Sequence, residues 1–126
     1  MPQPVVHFEL WSEKSDELAK FYSSVFDWNI RLLPQMSYHL VENGEGPGIG
    51  GGIMTPQKGP WPGNMTLYID VDDIPAYREK IIAAGGKVIV DEMDVPGVGS
   101  LLLFLDPDER PMGIWKRTGA PLDGGG

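Results

Sequence analysis

The chain has 126 residues, no cysteine and a net charge of −8 at neutral pH. Without cysteine there is no disulfide, no thiolate nucleophile and no Cys-ligated metal. Ten basic residues scattered among eighteen acidic ones argue against nucleic acid or an anionic membrane as partner, because phosphate binding needs clustered Lys and Arg. A hydrophobic content of 41% suits one compact domain with a real core. No basic stretch with an apolar core precedes Val5, and no run approaches membrane-spanning length, so the expected compartment is the cytoplasm.

Val5 to Trp11 alternates and predicts a half-buried strand, with Val6, Phe8 and Leu10 on one face and Val5, His7, Glu9 and Trp11 on the other. Ser12 to Ser15 supplies N-cap chemistry. Leu18, Phe21, Tyr22 and Val25 follow at helical spacing, leaving Lys14, Asp16, Glu17 and Lys20 to solvent. Trp28 to Leu33 and Ser37 to Val41 predict strands separated by Pro34, and Asn43 to Gly48 is a turn cluster. Ile49 to Met54 is glycine-rich yet reads as extended. Thr55 to Asn64, with three prolines and two glycines, reads as a linker. Met65 to Val71 alternates again. Asp72 or Asp73 caps a second helix that carries Pro75 in its first turn and Ile74, Tyr77 and Ile81 as its buried stripe. Gly85-Gly86 ends it. Lys87 to Val90, Ser100 to Leu105 and Met112 to Lys116 predict three more strands, joined by Val95-Pro96-Gly97 and by a tight turn at Asp106-Pro107-Asp108-Glu109. Thr118 to Gly126, closing on three glycines, predicts a mobile tail.

The order strand, helix, three strands occurs twice, over Val5 to Met54 and Met65 to Lys116. The spacing agrees: His7 to Trp28 and Thr66 to Lys87 each span 21 positions. A repeat of this size predicts two copies sharing one core, with any pocket where they meet. The expectation is a single α+β domain over 1–126: module one at about 4–55, a linker at about 56–64, module two at about 65–117 and the tail at 118–126.

The second copy carries Tyr68-Ile69-Asp70-Val71-Asp72-Asp73, Gly85-Gly86-Lys87-Val88, Val95-Pro96-Gly97-Val98-Gly99 and Phe104-Leu105-Asp106-Pro107-Asp108. The first carries Val6-His7-Phe8-Glu9, Phe21-Tyr22 and Phe26-Asp27-Trp28. In this order and spacing, over about residues 4–117, the chain resembles the vicinal-oxygen-chelate superfamily of glyoxalase I, bleomycin-resistance proteins and extradiol dioxygenases. The resemblance implies two βαβββ modules whose strands curve into an open barrel around a cleft, with the helices outside, and a homodimer as in many relatives. It places Val6, Phe8 and Leu10 on the helix side. His7, Glu9 and Trp11, with Thr66, Tyr68 and Asp70 at the equivalent places of module two, then line a ligand-binding cleft, joined by Gly113 and Trp115 on the last strand.

Metal-dependent members hold a divalent cation at four equivalent positions, two on the first strands of the modules and two on the last. Here these map to His7, Thr66, Gly52 and Gly113. Only His7 has a side chain of the usual ligating kind, so no metal and no cofactor is expected. Glycines at the other two places are expected to leave volume for a bulkier ligand. The resemblance therefore implies a protein that holds a small organic molecule without the standard metal site, as resistance-type members do by sequestration. The alternative is a divalent-metal-dependent lyase or dioxygenase of the same superfamily with an atypical ligand set. A purely structural or regulatory dimer fits the polar His7/Glu9 face less well.

Other readings of these residues stay open at the level of sequence. His7 suits a hydrogen bond to Glu9 or Tyr68, or a general base. Glu9 and Asp70 suit a cationic or hydroxylated ligand, or pairing with Arg31 or Lys87. His39, beside Tyr38 on an outer strand, is expected at the surface, although a site joining it to His7 and Glu9 is conceivable. Trp28 should pack after the first helix; Trp11 and Trp115 suit either ligand stacking or the core. Gly46-Pro47-Gly48-Ile49-Gly50-Gly51 spells G-x-G-x-x-G, but no helical stripe follows it and there is no G-K-[ST], so nucleotide binding is rejected. There is no G-x-S-x-G elbow either.

Overall fold

The structure, a computed structural model, describes residues 2–34, 37–44, 46–56, 63–95 and 99–117. Module one is β1 (Val5–Trp11), α1 (Ser15–Phe26), β2 (Asn29–Leu33), β3 (Tyr38–Glu42) and β4 (Gly50–Met54). Module two is β5 (Met65–Asp70), α2 (Ile74–Ala83), β6 (Lys87–Val95), β7 (Gly99–Leu105) and β8 (Pro111–Arg117). The strands form one curved, open sheet in the order β2-β3-β4-β1-β5-β8-β7-β6. The modules join through the antiparallel β1–β5 pair, while β1–β4 and β5–β8 are parallel. The repeat holds in register: Glu9 stands opposite Gly52 and Tyr68 opposite Gly113. Most of the predicted linker, the Pro96-Gly97 part of the β6–β7 turn, Trp61 and the tail lie outside the described residues.

Both helices cover the same side of the sheet. Phe8 and Leu10 pack with Leu18, Ala19 and Tyr22 of α1 and with Val41 and Ile53. Trp28 stacks on Tyr22 at 4.6 Å, as its place after the helix predicts. Two expected members are missing from this core. Phe21 and Val25 are 53% and 55% exposed. The buried stripe runs through Leu18, Ala19 and Tyr22, and the Phe21/Val25 edge faces outward. In module two Val71, Ile74, Leu102 and Ile114 form the core, with Ile69, Tyr77 and Ile81 against it.

The two helices start differently. The Asp73 carboxylate accepts from the Ala76 N–H at 3.0 Å, as its cap position predicts. At α1 the N-cap is Lys14, which makes no side-chain capping bond; Ser12 Oγ instead accepts from the Lys14 N–H. Gly85, at φ 101°, takes the left-handed conformation that ends α2. β6 runs five residues past the predicted Val90, to Val95. Register shifts between Val88 and Val90 and between Val90 and Met93 break its alternation, so a period-two pattern stops short. Arg78 on α2 donates two hydrogen bonds to Asp91 on this edge strand.

Candidate functional site

The helix-free face of β1 carries His7, Glu9 and Trp11, all buried. Glu9 is the centre of a polar network. Its Oε1 accepts from Trp11 Nε1 at 2.8 Å and from the Tyr68 hydroxyl at 3.0 Å; its Oε2 accepts from the Tyr38 hydroxyl at 2.9 Å. His7 Nε2 lies 2.8 Å from the same Tyr38 oxygen. The buried carboxylate thus has three internal donors, which is how a polar group becomes tolerable in a core.

Glycines make this geometry possible. Tyr38 is on β3, and β4 lies between it and β1. Its ring crosses β4 over Gly52, where a Cβ would collide with the ring and hydroxyl of Tyr38. On the helix side, Gly51 takes the ring of Phe8 in the same way. In module two the Tyr68 ring lies over Gly113, and Leu103 closes in beside it. The volume that these glycines leave is filled by the chain's own rings.

Burial raises the Glu9 carboxyl above the ordinary range, against the pull of its three donors. Burial and then the charge of Glu9 raise both tyrosines well above theirs, so they stay protonated and able to donate. Burial, helped by the positive charge of Arg117, lowers His7 to about 4 and keeps it neutral at pH 7.

The predicted site residues do not all converge. His7, Glu9, Trp11, Tyr68 and Trp115 meet, with the His7 ring 5.8 Å from Tyr68 and 5.0 Å from Trp115. Thr66 is buried, but its hydroxyl donates to the Pro111 carbonyl at 3.1 Å and so serves the β5–β8 junction. Gly113 lies beneath Tyr68. Asp70 pairs with Trp115 in register at the end of β5 and borders an open hollow of about 410 Å³ shared with Asp72, Lys116 and Arg117. Arg31 pairs with Glu42, not with Glu9 or Asp70. His39 is buried, not exposed: it faces α1 and bonds Asp16 at 2.9 Å, on the opposite side of the sheet from His7 and Glu9. The three do not form a site. Tyr38 is the member that the sequence reading missed. Its signal was a tyrosine on the strand facing Gly50-Gly51-Gly52, since an aromatic often covers glycines on a neighbouring strand.

No protein-family profile matches the chain. Among curated proteins it is 29% identical over 125 residues to the anthracycline biosynthesis protein DnrV of Streptomyces peucetius, covering 87% of this chain and 46% of that one. It is 31% identical over 111 residues to the candidate glyoxylase CFP32 of Mycobacterium tuberculosis, covering 86% and 42%. The chain thus spans less than half the length of the curated relatives it matches. Among solved structures, a glyoxalase/bleomycin resistance protein/dioxygenase superfamily member from Vibrio splendidus superposes with a TM-score of 0.63 at 13% identity, covering 91% of this chain and 99% of that one. The chain is thus similar in sequence to a glyoxylase-type protein and shares the fold of the glyoxalase/bleomycin resistance protein/dioxygenase superfamily, the vicinal-oxygen-chelate fold. Streptomyces coelicolor methylmalonyl-CoA epimerase shares the fold, with a TM-score of 0.64 at 11% identity over 94% of this chain and 100% of that one.

The superfamily's divalent metal can be tested against the residues present. Of the four mapped positions, His7 is engaged by Tyr38, Thr66 by Pro111, Gly52 lies under Tyr38 and Gly113 under Tyr68. Glu9, the nearest carboxylate, spends both oxygens on internal donors. Among the described residues no three His, Asp or Glu side chains converge. This donor set does not fit a divalent ion there.

Proposed function

We propose that this chain of vicinal-oxygen-chelate fold binds a small organic molecule on the helix-free face of its sheet and uses no metal to do so. The observation that carries the reading is the closure of three of the four mapped ligand positions, Thr66 by the Pro111 carbonyl, Gly52 by Tyr38 and Gly113 by Tyr68. Around the network, Trp11, Tyr68 and Leu103 form a buried floor flanked by partly exposed Met54, Ile89, Val90, Leu101 and Trp115. An apolar, aromatic floor with few polar groups is what a flat organic ligand needs. The name of DnrV, an anthracycline biosynthesis protein, points to an aromatic polyketide as the class to test first. Equilibrium dialysis with an anthracycline, followed by tryptophan fluorescence, is the direct experiment. Saturable binding with quenching is expected; no binding at millimolar concentration would overturn the reading.

The second reading is a metal-dependent lyase or dioxygenase with an atypical ligand set, favoured by the glyoxylase name of CFP32. It requires a stoichiometric ion. After dialysis against Zn, Ni, Mn or Fe, elemental analysis should find less than one ion per chain; one tightly bound ion held through His7 would promote this reading. We also propose a homodimer in the cytoplasm, without nucleic-acid or membrane partners. The exposed apolar edge of α1 supports self-association, and among the described residues no helix is long and apolar enough to cross a membrane.

A further inference from the structure

The ends of β1, β5 and β8 border a hollow of about 410 Å³, lined by Val6, Asp70, Val71, Asp72, Lys116 and Arg117. It lies at the seam of the two modules, because the start of β1 runs beside the end of β5. The backbone of its rim is pinned: the Asp70 N–H donates to the Pro4 carbonyl and the Val71 N–H to the Trp115 carbonyl, both at 2.9 Å. Two carboxylates and two cations face this space, so the lining is neutral in a chain of net charge −8. Among the described residues these four side chains form no ion pair and no hydrogen bond, with one another or elsewhere. The chain's other three arginines do pair, Arg31 with Glu42, Arg78 with Asp91 and Arg110 with Asp106. Strand register explains the exception. Asp70 stands opposite Trp115 across the parallel β5–β8 pair, and Arg117, two positions on, lies over that indole with its guanidinium carbon 6.0 Å from the ring centre.

We propose that this hollow is a site of its own, beyond the network around Glu9, for a small zwitterion of the α-amino-acid class with an apolar side chain. The ammonium lies against Asp70 and Asp72, the carboxylate against Arg117 and Lys116, and the apolar side chain against Val6 and Val71. A guanidinium fork matches a carboxylate in plane and spacing. The balance of charge selects the class. A simple cation meets the two carboxylates but adds to the charge of Arg117 and Lys116, and a simple anion does the reverse. A molecule with both charges answers both halves of the lining. The four charged residues are half-buried or exposed, so each contact alone is weak. Binding therefore needs both ends of the ligand together, with a Kd on the order of millimolar.

The inference does not depend on what the helix-free face binds. The test is an amide NMR titration of the full chain at low salt, where exposed charges are least screened. Three compounds with one carbon skeleton are compared: leucine, 3-methylbutylamine, which lacks the carboxylate, and 4-methylpentanoate, which lacks the ammonium. Leucine should shift the amides of residues 70–72 and 115–117 saturably, and each single-charge analogue should bind at least about tenfold more weakly, the worth of one charge-assisted hydrogen bond. Two variants separate the halves of the site. Asp70→Asn and Arg117→Gln break no hydrogen bond or ion pair among the described residues, so both should melt close to wild type. Asp70→Asn should weaken leucine and 3-methylbutylamine but not 4-methylpentanoate; Arg117→Gln should weaken leucine and 4-methylpentanoate but not 3-methylbutylamine. Equal binding of the three compounds by wild type, no shifts at about 100 mM leucine, or variants that weaken all three alike would each overturn the site.

Discussion

Glu9 concentrates the cost and the order of this face in one carboxylate. Removing it takes one acceptor from each of Trp11, Tyr38 and Tyr68, and a stranded buried donor costs about 1–3 kcal/mol. Glu9→Ala should therefore destabilise the fold by about 3–5 kcal/mol in urea unfolding, in the range seen when one partner of a buried charged network is lost. His7 sets the acid response. Its pKa is lowered in the folded chain from 6.5 to about 4, by burial and then by Arg117. As pH falls below 6.5, the unfolded chain takes the proton first, so stability must fall between 6.5 and 4. The fall from 6.5 to about 4 corresponds to about 3 kcal/mol. Glu9 works in the opposite sense, because its raised pKa makes the folded chain the better proton acceptor once pH falls towards its folded value. The two are separated by comparing wild type with His7→Gln, which keeps a donor to Tyr38 but cannot titrate. Wild type should lose stability relative to this variant as pH drops from 7 to 4; a constant difference across that range would contradict the assignment.

At the scale of elements, neighbouring strands interlock through a ring on one and a glycine on the next. Gly52→Ala drives a methyl into Tyr38. It should cost about 1–3 kcal/mol, the usual price of overpacking. Combined with Tyr38→Ala the clash disappears, so the double variant should cost less than the sum of the singles, with a coupling of about 0.5–3 kcal/mol. Additive effects would show that Tyr38 does not lie over β4. The helix starts make a second contrast. Asp73→Ala removes the cap of α2 and should cost about 1 kcal/mol. Lys14→Ala at the start of α1 removes no capping bond, so its denaturation midpoint should barely move. Phe21→Ala belongs here too. With Phe21 about half exposed, the loss should fall well short of the roughly 3–5 kcal/mol of a fully buried phenylalanine.

At the scale of the whole molecule, the open sheet ends on β2 and β6. β6 carries Asp91, Glu92 and Asp94, charges that oppose edge-to-edge pairing. The apolar edge of α1, with Phe21, Val25 and Phe26 each more than half exposed, is the better surface for a second copy. The native mass spectrum should show a dimer, and Phe21→Asp with Val25→Asp should return it to monomer without lowering the melting temperature by more than a few degrees. A wild-type chain that stays monomeric at about 100 μM in sedimentation equilibrium would reject self-association at this face.

The sequence by itself determined the order of the elements and the two faces of β1, because those rest on local patterns. Alternation separated Val6, Phe8 and Leu10 from His7, Glu9 and Trp11, and the resemblance put the first set on the helix side. The spacing repeat made His7 and Thr66 equivalent positions, and Asp72 or Asp73 and Gly85-Gly86 bounded α2. What the sequence could not decide was what fills the space over a glycine or answers a buried carboxylate, since both depend on side chains from strands that are distant in sequence. Gly52 and Gly113 read as room for a ligand; the tertiary structure put Tyr38 and Tyr68 there. His39 read as a surface residue until the sheet turned it under α1 towards Asp16. Phe21 read as core, but the face of α1 that meets the sheet runs through Leu18, Ala19 and Tyr22. For the glycines the backbone period gave the position; packing between elements decided which atoms meet there and which way His39 and Phe21 face.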